Sequence, residues 1–180
     1  MIVLITGMSG SGKSTVGRLV AEHFSKSMHI QVDQIREMMV KDMDVPGANG
    51  FTEATYQQFQ WARLTVIYMA QLYASQGVDV VIDDVCVPPN FAEQYATLFE
   101  NPAAYRVLLF PTTSALIERI KKRAGPWDRI LIDKVPMVYS YLEPMSKDGW
   151  IVLDSGEWTI EQTVKEVLSN IALVPSNVQS

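Results

Sequence analysis

Gly7-Met8-Ser9-Gly10-Ser11-Gly12-Lys13-Ser14-Thr15 fits the phosphate-loop pattern G-x-x-x-x-G-K-[ST] without a mismatch. The residue types follow from the chemistry. Glycines let the chain turn back on itself without a Cβ clash, so several backbone N–H groups converge on phosphate oxygens. A lysine at position 13 reaches β- and γ-phosphates, and the Ser14 hydroxyl can ligate Mg²⁺. The helix that follows adds its partial positive N-terminus. Such a loop needs a strand before it and a helix after it. Met1–Thr6 reads Met-Ile-Val-Leu-Ile-Thr, a run suited to a buried parallel strand. Beyond Lys13, Val16, Leu19, Val20 and Phe24 recur at helical spacing, with Arg18 and Glu22 opposite.

The 180 residues suggest one domain, and 48% apolar content is that of a globular chain. No apolar run reaches the length of a membrane span. The apolar N-terminus lacks a basic n-region and a cleavage site, so a cytoplasmic location is the expectation. Cys86 is the single cysteine, which excludes an internal disulfide and a cysteine-built zinc site. A net charge of −5 and a pI near 5.0 argue for a small substrate over nucleic acid.

Further strands are predicted over Met28–Val32, ending at Asp33, then Val78–Ile82, Tyr105–Phe110 and Trp150–Leu153. Between them fall one or two helical turns over 34–40, a long helix Glu53–Gln76 stopped by Gly77, and a modest helix Asn90–Glu100 after the Pro88-Pro89 break. Ser114–Arg123 is helical, Ala124-Gly125-Pro126-Trp127 interrupts it, and Ile130–Met145 resumes with a break or kink at Pro136. Thr159 and Gln162 form a capping box for a last helix burying Ile160, Val164, Val167, Leu168 and Ile171. Strands alternating with helices imply a three-layer α/β/α P-loop NTPase fold around a five-stranded parallel sheet. Residues 1–173 form the domain and 174–180 a flexible tail. Ligands in such folds sit at the carboxyl ends of the strands, where Asp33, Asp83, Asp84 and Asp154 fall. Asp42–Thr52, with Pro46, Gly47 and Gly50, is expected to be a flexible substrate lid. Its Asp44-Val45-Pro46-Gly47 mimics the D-x-x-G of GTPases, but no buried strand leads into it and no N-K-x-D follows.

Phosphoryl transfer needs a base for the acceptor hydroxyl, an acid near Mg²⁺ and cations over the moving group. Asp33, the Asp83–Asp84 pair and the basic residues from Arg119 to Arg129 supply that inventory. With these in place the chain resembles the small P-loop kinases, in particular the chloramphenicol phosphotransferase, zeta toxin and polynucleotide kinase-like group, from Ile2 to about Ile171. Val32-Asp33-Gln34-Ile35-Arg36 is similar to the polynucleotide kinase D-x-x-R. Val80-Val81-Ile82-Asp83-Asp84-Val85 looks like the strand-three acids of chloramphenicol phosphotransferases, although Val85-Cys86 stand where the phage polynucleotide kinase type has Thr-Asn. Leu116-Ile117-Glu118-Arg119, Lys122-Arg123 and Asp128-Arg129 resemble the lid, and Asp154-Ser155-Gly156 the loop that cups adenine.

The resemblance implies an ATP- and Mg²⁺-dependent phosphotransferase acting on a hydroxyl of a small molecule. Gly7 to Thr15 and Asp154 to Gly156 would hold ATP, with Ser14 and Asp83 at the metal. Asp33 would act on the acceptor hydroxyl, Arg36 would steer a substrate anion, and Asp84 would face substrate. Arg119, Arg123 and Arg129, in a lid over 119–129, would close on the transferring group together with Lys13, while 34–76 would form the acceptor side. Rival readings are a kinase of nucleic-acid 5′-hydroxyls and an ATP-binding switch without an acceptor. Lys121 and Lys122 read as solvated, Phe59, Trp61 and Tyr68 as core packing, and His23 and His29 as remote from the chemistry.

Overall fold

The computed structural model describes residues 1–45, 50–86, 90–125, 128–145 and 149–172. Pro46, Gly47, Pro88, Pro89, Pro126, Trp127 and the expected tail lie outside them. Strand β1 (Ile2–Gly7) is buried along its whole length, as its apolar run requires. It is flanked by β3 (Asp79–Val85) and β4 (Ala104–Leu109), with β2 (Ser27–Gln31) and β5 (Ile151–Leu153) at the edges. All pairs are parallel, in the order β2-β3-β1-β4-β5.

Period-two alternation divides the core. Val3, Ile5 and Val81 pack on one side with Val16 and Val20 of α1 (Lys13–His23) and Val167 and Ile171 of α7 (Ile160–Ala172). Ile2, Leu4 and Ile82 pack on the other against α3 (Glu53–Ser75), α5 (Thr113–Arg123) and α6 (Asp128–Met145). The expected three layers and five parallel strands are thus present.

Several details differ from the sequence reading. Strand β2 ends at Gln31, the last residue in register with β3, and Asp33 lies in the first turn of α2 (Val32–Glu37). An acid there is favoured by the helix dipole. Strand β3 runs on through Asp83 and Asp84, because β1 pairs with both. The segment after Asn90 is split into α4 (Phe91–Gln94) and a 3₁₀ turn, Ala96–Glu100. Helix α6 continues through Pro136; the ring removes one intrahelical bond, and buried Val135 and Leu142 hold the turns on either side. The Thr159–Gln162 capping box is present, but Ile160 is 43% exposed.

Candidate active site

The phosphate loop leaves β1 and enters α1. Gly10 and Gly12 have φ of 90° and 91°, a region that disfavours any side chain. A Cβ on Gly10 would stand 2.9 Å from Ile120 of α5, so the glycine also admits the neighbouring helix. The N-cap of α1 is Gly12, with no side-chain cap, which leaves the first N–H groups of the helix for an anion. The Ser11 hydroxyl is buried without a hydrogen-bond partner beside them. Both observations fit the loop to a polyphosphate.

Strand alternation sends the paired acids to opposite faces of the sheet. Asp83 joins α1: Ser14 Oγ donates to its Oδ1 at 2.9 Å, and His29 Nε2 and Gln31 Nε2 reach its Oδ2 at 2.7 and 3.2 Å. Burial alone would raise this carboxyl. The His29 hydrogen bond, the Lys13 charge and the Ser14 hydroxyl together hold it below the usual carboxylate range. A hydroxyl and an ionised carboxylate in contact are the hard oxygen donors that Mg²⁺ accepts alongside phosphates. His29, read from sequence as remote, is therefore part of the site. Gly17 makes room for it, since a Cβ there would lie 2.9 Å from His29 Nε2.

Asp84 faces α3 instead. Arg63 Nε donates to Oδ2 at 2.6 Å, and the Tyr95 hydroxyl donates to the same oxygen at 2.8 Å. Arg63 also donates to Gln94 Oε1 and to the Val85 carbonyl, and it stacks over Phe91 at 4.8 Å. The side chains of Arg63 and Asp84 are 2% and 0% exposed. Burial pushes the Asp84 carboxyl up, with Arg63 pulling the other way and the charge of Asp33 adding to the rise. Sequence reasoning missed Arg63 and Tyr95. The signal for Arg63 was its place four residues after Phe59, on the same apolar face as Ala62, Val66 and Ala70.

Arg36 in α2 is 8% exposed, lies 4.5 Å over the Phe59 ring and donates to the Asp44 carbonyl at 2.9 Å. Its Nε is buried without a partner. The described ends of the expected lid loop are fastened to α3. Asp44 accepts from Thr55 Oγ1 at 2.6 Å and from Thr52 Oγ1, and Gln58 holds the Asp44 N–H and the Asp42 carbonyl. Of the aromatic residues assigned to core packing, Phe59 is buried, whereas Trp61 and Tyr68 are 50% and 71% exposed.

The basic residues at the end of α5 take separate partners. Arg119 donates to the carbonyls of Ser155 and Gly156 at 2.6 and 3.1 Å, which ties α5 to the loop after β5. In that loop Asp154 accepts from the Gly156 N–H, and the Ser155 hydroxyl is buried and unpartnered. Arg123 pairs with Asp128 at 2.8 Å, and Asp128 also accepts from the Gly125 N–H at 2.5 Å. Hydrogen bonds with Arg123 hold the Asp128 carboxyl below its usual range. Arg129, Lys121 and Lys122 are exposed. Cys86, just past β3, is buried, and burial pushes its thiol up to about 12, so it is no nucleophile. An open cavity of ≈ 390 Å³ at this end of β3 is lined by Tyr56, Cys86, Phe91, Glu93, Tyr141 and Met145, among others.

A family profile described as "AAA domain" matches residues 2–133, from β1 into α6. The chain belongs to the AAA domain family. No curated protein sequence matches it. Among solved structures, this AAA domain is similar to a shikimate kinase from Bacteroides thetaiotaomicron, with a TM-score of 0.68, 21% identity, and 96% of this chain and 99% of that one covered. A gluconokinase from Sinorhizobium meliloti superposes with a TM-score of 0.61 at 20% identity, covering 94% and 90%. The tunicamycin resistance protein of Deinococcus radiodurans does so with a TM-score of 0.66 at 12% identity, covering 96% of each chain. These likenesses establish the P-loop kinase fold for the AAA domain described here, and none of its helices is long and apolar enough to cross a membrane among the described residues.

Proposed function

We propose that this AAA domain is an ATP-dependent kinase that phosphorylates a hydroxyl of a small molecule. The observation that carries the reading is the Ser14–Asp83 contact at the mouth of an uncapped, glycine-built phosphate loop. Bound Mg·ATP supplies the phosphoryl group. Gly7 to Thr15 would cradle the phosphates and Lys13 would neutralise charge on them; Ser14 and Asp83 would hold Mg²⁺, which when bound would offset charge on the β- and γ-phosphates. The Asp154-Ser155-Gly156 loop takes the adenine side. Asp33 accepts the proton of the acceptor hydroxyl as its oxygen bonds to phosphorus and the bond to the ADP oxygen breaks. Arg119, Arg123 and Arg129 belong to the lid that closes over the transferring group and excludes water.

One feature supports an anionic acceptor and another a small one. The Arg36 guanidinium is a buried cation whose hydrogen bond goes to a backbone carbonyl, and its Nε is unsatisfied. A carboxylate or phosphate on the substrate would remove that penalty. The cavity beside β3 has the size of a small-molecule site and would take the acceptor body, with Asp84 supporting its floor through Arg63.

Paired variants test the roles. Asp33→Asn should lower acceptor phosphorylation by roughly two to four orders of magnitude, with Mg·ATP binding little changed. Asp83→Asn should raise the magnesium requirement of every reaction, acceptor-free ATP hydrolysis included. A magnesium midpoint shifted by Asp33→Asn and not by Asp83→Asn would reverse the roles. Transfer left intact by both would refute the mechanism.

A further inference from the structure

Helix α3 has two apolar faces. One carries Phe59, Arg63 and Val66 into the site and the core. The other presents Trp61, Leu64, Tyr68 and Leu72, which are 50%, 45%, 71% and 61% exposed. Their spacing of three, four and four residues places them on one stripe of the helix. Scattered exposed apolar residues are ordinary, but a contiguous aromatic–aliphatic stripe marks an interaction surface.

Charge identifies the partner. From Ala54 to Ser75 the sequence contains one charged residue, Arg63, and it points inward at 1% exposure. The outer face therefore has aromatic residues and no ions, the composition of an interface core. A strongly charged ligand would find nothing to pair with, whereas an identical uncharged stripe is complementary. We infer that this face joins two copies of the chain, α3 against α3, about a two-fold axis.

In an antiparallel crossing Trp61 packs on Leu72 of the partner subunit, and the two Tyr68 side chains lie near the axis. Residues 54–75 bring no exposed charge to the crossing. The four side chains expose on the order of 400–500 Å² between them. With the flanking glutamines Gln57, Gln60 and Gln71 along a helix of about 34 Å, each copy approaches the roughly 800 Å² of a standard interface. The inference is independent of the proposed chemistry.

Sedimentation velocity on the full chain from 1 to 200 μM tests it. A concentration-dependent shift from monomer to dimer is expected. Leu72→Glu and Tyr68→Glu, made separately at exposed positions, should each weaken the dimer at least tenfold and leave the circular dichroism spectrum unchanged. A chain that stays monomeric at 200 μM overturns the inference and leaves the stripe to a different partner. A dimer that survives both substitutions overturns it as well, since another face would then form the contact.

Discussion

Replacing Arg63 with Met would remove a cation from the most enclosed ion pair among the described residues. The Asp84 carboxylate would keep only the Tyr95 hydroxyl, at 0% exposure. Stranding one member of such a pair costs about 3–5 kcal/mol. A domain of ordinary stability has roughly 5–15 kcal/mol in all, so Arg63→Met should remove a large share of it. Removing both charges is a different perturbation. In Arg63→Met/Asp84→Leu no ion is left buried, and the remaining penalty is the Tyr95 hydroxyl without its acceptor, about 1–3 kcal/mol. The double variant should therefore be more stable than Arg63→Met alone by about 2 kcal/mol, and with Asp84→Leu as the other single variant the two effects should be far from additive. Urea unfolding followed by circular dichroism measures all the corners of this cycle. A loss below about 1 kcal/mol for Arg63→Met, or strict additivity in the double variant, would refute the argument from burial. The same proteins decide whether Asp84 touches the acceptor. A folded double variant that retains phosphoryl transfer makes the pair a support under the site, whereas a folded but inactive one returns Asp84 to the substrate.

Two further outcomes follow from the contacts. His29→Ala should remove the shorter of the two contacts to Asp83 Oδ2 and weaken metal affinity about tenfold, read by Mn²⁺ electron paramagnetic resonance as well as by the magnesium dependence of ATP hydrolysis; unchanged affinity would show that Ser14 and Gln31 suffice to hold the carboxylate. Arg119→Ala would cut the link between α5 and the Ser155 and Gly156 carbonyls; kcat should fall more than KM for ATP rises if the arginine leaves those carbonyls to act on the closed complex, and a change in KM alone would mark it as a support of the adenine loop.

The parts legible from sequence are those set by neighbouring residues. The phosphate loop is one stretch of nine residues whose turn depends on its own glycines, and the strand before it and helix after it declare themselves by hydrophobic period. The parallel sheet followed from the alternation of strand and helix, because parallel neighbours need crossovers. The strand-end acids were visible as a group for the same reason.

Their contact partners were not. Asp83 and Asp84 are adjacent and chemically identical; the sequence reading set both at the strand end, one for the metal and one for substrate, without the partners that hold either. In the sheet β1 pairs with each of them, so the pleat sends one to Ser14 and His29 and the other to Arg63 and Tyr95. His29 was read as lying far from the strand ends, yet it meets Asp83 across 54 residues, and Arg63, not singled out from sequence, meets Asp84 across 21. The register of β2 on β3 and the rotation of α3 about its axis close those distances. A charge becomes part of a site through the groups that surround it, and only tertiary packing brings them within hydrogen-bond reach.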